Sequence, residues 1–233
     1  MNIIITGATK GIGRAIAERF AKEGFNLAIC ARTTKDLNAL KKDFKAKYPE
    51  VEVLTKKTDM SKKQQVLDFA KFIKKHWKQV DILVNNAGLF LGGEVHQHRS
   101  GLLEKLIETN LYSAVYMSKA IVPMMLKQKA GHIFNMCSVA SLVTLPNCGL
   151  YCTSKFAMYG FSKCLRDELK DKGVRVSTLL PGATMSNAWD GSGVPENRLM
   201  QAADVAEAIW SAYQMSGSTV IEEIILRPQL GDL

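Results

Sequence analysis

The chain has 233 residues, 47% hydrophobic and 23% charged, proportions that allow a sizeable core and exclude collagen-like, disordered and disulfide-scaffold classes. Its formal charge of +9 invites an anionic partner: nucleic acid, a membrane surface or a phosphorylated small molecule. Most of that charge is local, because Lys35 to Lys78 holds thirteen Lys against six carboxylates. In chain order, a strand at 2–6 leads into a helix at 12–22, and a strand at 26–31 into a helix at 35–47. A strand at 51–55 leads into a helix at 62–77, and one at 82–85 into a long helix at 102–127. A strand at 131–136 precedes a helix at 151–171. A strand at 174–180 opens the irregular stretch 181–196, and a helix at 203–215 and a strand at 222–226 close the chain. Several strands are continuous apolar runs, as expected when both sheet faces are covered. Alternation of this kind predicts one α/β domain over 1–233, with a doubly wound parallel sheet of about seven strands and helices on both faces.

Five cysteines, Cys30, Cys137, Cys148, Cys152 and Cys164, are an odd number with no secretory signal, and read as reduced thiols, mostly small buried hydrophobes. The N-terminus shows neither a basic leader nor an apolar stretch long enough to cross a bilayer. The expectation is a soluble cytoplasmic protein.

The first strand ends in Thr6-Gly7-Ala8-Thr9-Lys10-Gly11-Ile12-Gly13, and a helix follows at once. Glycines permit a tight turn and close backbone approach, and the free N–H groups at a helix start favour a pyrophosphate. The spacing is G-x-x-x-G-x-G rather than G-x-G-x-x-G.

This octet resembles the cofactor motif of the short-chain dehydrogenases/reductases, and further motifs of that family recur in order. Asn85-Asn86-Ala87-Gly88 follows the fourth strand, Asn110 lies in the long helix, and Ser138 follows the fifth strand. Tyr151-Cys152-Thr153-Ser154-Lys155 opens the next helix, and Pro181-Gly182 follows the sixth strand. The resemblance implies a Rossmann fold and an NADP-dependent carbonyl reductase. It implies that Asp59 and Met60 hold the adenine, that Asn86, Ala87 and Gly88 lie beside the ribose, and that Pro181, Gly182 and Thr184 line the nicotinamide side. Read from the residues alone, Asp59 with Ser61 is equally an ordinary helix N-cap region.

Choice of dinucleotide turns on the end of the second strand, where an acidic residue would bind a ribose 2′-hydroxyl and repel a 2′-phosphate. Ala31-Arg32 stands there, and Arg32 with Lys10 offers two positive charges to a phosphate. Thr33 or Thr34 can add a hydroxyl, and Asp36 reads as a first-turn carboxylate of the next helix. NADP(H) is therefore expected over NAD(H).

Hydride transfer to a carbonyl leaves an alkoxide that needs a proton. Tyr151 is the candidate donor, and Lys155, four residues on, shares its helix face. An unperturbed tyrosine titrates at about 10, and a neighbouring ammonium stabilises its phenolate. By resemblance Tyr151 and Lys155 also contact the nicotinamide ribose, Ser138 polarises the carbonyl, and Asn110 interrupts its helix to hold a water that relays protons to Lys155.

Other signals are weaker. His96 and His98 lack partners at zinc-site spacing, so no metal is expected. The lysine-rich segment lacks aromatic interleaving and reads as a solvated face rather than a nucleic-acid surface. Met117, Met124 and Met125 read as packing surface, and the resemblance implies a homodimer or homotetramer through the long helix and the Tyr151 helix. The segment 183–200, with Trp189 and Leu199, is the expected substrate loop for a small-molecule carbonyl or alcohol. The ending Glu222 to Leu233 is more like those of bacterial sepiapterin reductases and hydroxy-acid or serine-type dehydrogenases than the Gly-rich tail of many 3-oxoacyl-carrier reductases, which remain an alternative. A dinucleotide sensor or scaffold without catalysis is the alternative of another class.

Overall fold

Each short apolar run becomes one strand of a single parallel sheet: β1 (Asn2–Thr6), β2 (Asn26–Ala31), β3 (Val53–Lys57), β4 (Ile82–Asn85), β5 (Gly131–Met136), β6 (Val174–Pro181) and β7 (Glu223–Leu226). The computed structural model describes every residue except Asn187, Ala188 and Asp190. The strand order is β3-β2-β1-β4-β5-β6-β7, all neighbours parallel. Ile3, Ile4 and Ile5 show why such runs are apolar throughout, for all three are fully buried. Ile3 and Ile5 pack with helices α1 (Gly11–Lys22), α2 (Thr34–Lys47) and α7 (Ala202–Tyr213). Ile4 packs on the other face with α3 (Lys63–His76), α5 (Ser113–Gln128) and α6 (Gly149–Leu169). The single α/β domain expected from the sequence is the fold observed, and no described helix is long and apolar enough to cross a membrane.

Most boundaries fall within two residues of the sequence reading, and three of the differences have a visible cause. The long helix is broken: α4 (Leu102–Ile107) passes into a π turn at Glu108–Tyr112 before α5 begins. The apolar period runs on through this turn, so periodicity does not reveal it. Strand β3 lies two residues later than expected, because Val53 pairs with Leu27 and Lys57 with Ala31 while Glu52 takes the indole N–H of Trp77 at 2.7 Å. Helix α6 starts at Gly149 rather than Tyr151, since the Cys152 N–H already bonds the Cys148 carbonyl at 2.8 Å.

The five cysteines are unpaired. Burial pushes the Cys30 thiol up to about 12 and the Cys137 thiol up to about 11, the behaviour of packing residues. Strand order runs outward both ways from β1 and β4, and the crevice beyond the carboxyl ends of these two strands is where an open α/β sheet binds ligands.

Candidate active site

A cleft of about 420 Å³ opens there, lined by Gly7, Thr9, Lys10, Arg32, Asp59, Met60, Asn86, Ala87 and Gly88, all named from the sequence. Gly7 and Gly11 sit at φ +68° and +54°, a left-handed backbone that favours glycine, and a Cβ on Gly7 would lie 3.1 Å from Ala87 Cα. Gly13 serves packing: its missing Cβ would lie 2.5 Å from Asn86 Nδ2 and 2.6 Å from the Gly7 carbonyl oxygen. Among the described residues no side chain caps α1, and its first turn holds no acidic residue, so the positive end of this helix suits an anion. These features fit a dinucleotide pyrophosphate. Gly11 lines a second hollow, of about 410 Å³, with Met185 and Ser186. Ile12 packs against the core beneath.

Arg32 is exposed at the end of β2, and no carboxylate pairs with it among the described residues. Lys10 Nζ lies 4.0 Å from Asp36 Oδ2, and Asp36 sits in the first turn of α2 as expected. All three side chains line the cleft, so two cations and one carboxylate surround whatever group enters it there. The Asp59 carboxylate accepts from Ser61 N–H at 3.0 Å and Ser61 O–H at 2.9 Å. This is a local turn at the cleft wall, ahead of α3, whose N-cap is Lys62 with no side-chain cap, so the capping role that the residues alone suggest is not the one Asp59 plays.

Asn86 does more than line the cleft. Its Nδ2 donates to the Thr6 and Gly7 carbonyls at 2.9 and 3.1 Å, tying β4 to the glycine turn. Thr6 Oγ1 in turn accepts the N–H groups of Asn86 and Ala87 at 3.0 and 2.9 Å. Sequence reading passed over Thr6, because its partners lie eighty residues away.

The second half of the site stands on β5 and α6. Ser138 caps a short 3-10 turn: its Oγ accepts the Ala140 N–H at 3.2 Å and its hydroxyl donates to the Pro181 carbonyl at 3.4 Å. Tyr151 and Lys155 lie one turn apart on α6, with Lys155 Nζ 5.8 Å from the centre of the Tyr151 ring. Lys155 is 6% exposed, and its ammonium donates to the Met136 carbonyl at the end of β5 at 3.0 Å. Gly88 joins the halves: its missing Cβ would lie 3.7 Å from Lys155 Nζ and 3.6 Å from Asn110 Oδ1.

Asn110 sits in the π turn, which is the helix interruption expected of it. Its side chain, however, is committed elsewhere. Oδ1 accepts the Leu89 N–H at 2.7 Å, and Nδ2 donates to the Leu89 carbonyl at 3.0 Å and to Ser154 Oγ at 2.9 Å. Both amide protons of Asn110 are therefore engaged within the protein. Phe90, next to Leu89, meets Tyr151 edge-on with ring centroids 4.9 Å apart, and nothing in the sequence pattern marks it.

Beyond β6, Gly182 N–H bonds the Leu226 carbonyl at 2.8 Å, and Thr184 Oγ1 donates to the Gly182 carbonyl at 2.9 Å. Pro181, Gly182 and Thr184 thus form a tight corner at the carboxyl end of β6, outside the lining of the cleft. The expected substrate loop 183–200 is pinned at its ends by a bridge between Thr184 and Met200, and the Trp189 indole donates to the Thr184 carbonyl at 3.0 Å. Its residues Asn187, Ala188 and Asp190 lie outside the described ones.

The chain is similar to a sepiapterin reductase from Chlorobaculum tepidum, at 32% identity over 99% of this chain and 97% of the relative. Among solved structures it resembles an alcohol dehydrogenase from the archaeon Thermococcus sibiricus complexed with 5-hydroxy-NADP, at TM-score 0.92 and 28% identity, covering 100% of this chain and 98% of that one. It also resembles a serine dehydrogenase from Escherichia coli, at TM-score 0.86 and 28% identity, with 100% of both chains covered. The family model for short chain dehydrogenases matches residues 1–194, and the chain is a member of the short-chain dehydrogenase/reductase family of oxidoreductases.

Proposed function

We propose that this protein is an NADPH-dependent reductase that converts a ketone to an alcohol. The observation that carries the reading is the pairing of Tyr151 with a buried Lys155, whose ammonium reaches both the end of β5 and the Gly88 corner of the cleft. Bound NADPH supplies the hydride to the carbonyl carbon. The chain's own residues do the rest. Tyr151 Oη gives its proton to the carbonyl oxygen as negative charge develops there. The Lys155 ammonium beside the ring stabilises the phenolate left behind, and Tyr151 is then reprotonated from solvent. The Ser138 hydroxyl, placed by its turn, moves its one proton from the Pro181 carbonyl, a long 3.4 Å bond, to the substrate oxygen and orients it. Arg32 and Lys10 would hold the 2′-phosphate, the α1 N-terminus the pyrophosphate, and Asp59 with Met60 the adenine. The NADP analogue in the archaeal alcohol dehydrogenase supports this choice of cofactor. A homo-oligomer is expected as well, since Tyr112 and Phe156, on the π turn and α6, leave 44% and 43% of their surface open.

Following NADPH absorbance with a panel of 3-oxoacyl thioesters, diketones, pterins and small sugars tests the reading. Oxidation with at least one of them is the expected result. Tight NADPH binding with no oxidation by any would assign the fold to sensing instead.

A further inference from the structure

We infer that the substrate is an uncharged ketone bearing a flat aromatic or alkyl substituent, and that Phe90 is the residue that selects it; the inference rests on the reductase reading above. Phe90 is 50% exposed although its ring edge lies against Tyr151, at 4.9 Å between centroids and 78° between planes. A single exposed aromatic is ordinary on a protein surface. This one is held in place from both sides. Asn110 clasps the Leu89 N–H and carbonyl at 2.7 and 3.0 Å, and the Gly93 N–H donates to the Asn147 carbonyl at 2.5 Å. With its backbone anchored on either side, the ring stands edge-on against the Tyr151 ring with half its surface open, where a group on the reacting carbon would cover it. Val143, 43% exposed, is a further open apolar side chain just past the turn that Ser138 caps, its N–H bonded to the Val139 carbonyl at 3.2 Å.

Charge points the same way. No Lys, Arg, Asp or Glu occurs from Ala87 to Gly93 or from Ser138 to Ser154, the two segments that carry Phe90, Ser138 and Tyr151. The cation that follows, Lys155, is buried and bonded to the Met136 carbonyl. Arg198, in the segment expected to cover the substrate, donates to the Asp232 carbonyl at 3.4 Å. His96, His98 and Arg99 are exposed on the loop that follows Gly93. Among the described residues a carboxylate or phosphate on the substrate would therefore meet no buried cation beside Phe90 other than Lys155, and its desolvation would be costly, whereas an aryl or alkyl group would exchange water for the Phe90 ring.

Initial rates of NADPH oxidation with an aryl ketone, a 2-oxo acid and a keto sugar test this in wild type, Phe90→Ala and Phe90→Leu, with NADPH dissociation constants as the check on folding. Wild type should show a kcat/KM for the aryl ketone at least about tenfold above the other two. Phe90→Ala should lower that value by about tenfold and leave the 2-oxo acid and NADPH affinity unchanged, with Phe90→Leu between the two. Preference for the 2-oxo acid or the sugar, or an equal change for all three carbonyls in Phe90→Ala, overturns the inference while the reductase reading stands. Absence of oxidation with all three by a wild type that binds NADPH overturns the inference, and the reductase reading falls with it only when the thioesters, diketones and pterins give none either.

Discussion

At the scale of single residues, the phosphate claim comes down to Arg32 and Lys10 rather than to the net charge of the chain. Lys10 is shared with Asp36 at 4.0 Å, whereas Arg32 is exposed and has no carboxylate partner among the described residues. A 2′-phosphate would give that guanidinium a charge-assisted bond, an interaction of about 1.5–3 kcal/mol, while NADH has no group for it to hold. Arg32→Ala should therefore weaken NADPH about 10- to 100-fold in a binding titration and leave NADH within about twofold. Equal loss for both dinucleotides would place Arg32 outside the phosphate site. Arg32 and Lys10 were legible in the sequence because strand end and glycine turn have fixed places in the fold. Phe90 and Thr6 were not, because their importance lies in contacts with Tyr151 and Asn86 that no local pattern encodes.

At the scale of elements, the layer between the sheet and α7 contains a histidine that makes the fold sensitive to acid. His132 on β5 is fully buried, stacked on Phe134 at 3.9 Å between ring centroids. Ser177 Oγ gives its proton to the Ile221 carbonyl at 2.5 Å, so the 2.8 Å contact with His132 must be donated by His132 Nε2. Its Nδ1 has no partner among the described residues. Burial first, and the nearby Arg175 charge second, hold the ring well below its usual 6.5, at about 2. The folded state therefore refuses a proton that the unfolded chain accepts below about pH 6.5. The stability that neutrality confers is complete above that pH and falls by about 1.4 kcal/mol per unit below it, down to the folded value. Urea unfolding should show wild type losing about 2 kcal/mol more than His132→Phe between pH 7 and pH 5. Identical losses would show that His132 takes up its proton in the folded state. Strands and helices themselves were largely readable, as the three buried isoleucines of β1 illustrate. The π turn at Asn110 was readable only as an interruption implied by family resemblance, since the 3.6-residue period passes through it unbroken.

At the scale of the whole molecule, the site is assembled from segments spread over most of the chain. The glycine turn, the end of β2, the Asn86 corner, the π turn, the Ser138 turn and the start of α6 meet only because parallel strands place their carboxyl ends at one edge. Long-range bonds then lock them: Asn86 to Thr6 and Gly7, Asn110 to Leu89 and Ser154, Lys155 to Met136. The motifs were visible one by one, but not these ties, nor the open face of Phe90 beside Tyr151. The central claim is that this assembly works as one reaction centre with Tyr151 as its proton donor. Replacing Tyr151 with Phe removes one hydroxyl and leaves the lock untouched, so steady-state NADPH oxidation and an NADPH binding titration on that variant test the claim most directly. Turnover should fall at least about 100-fold while the NADPH dissociation constant stays within about threefold; a variant that keeps most of its turnover would contradict the assignment.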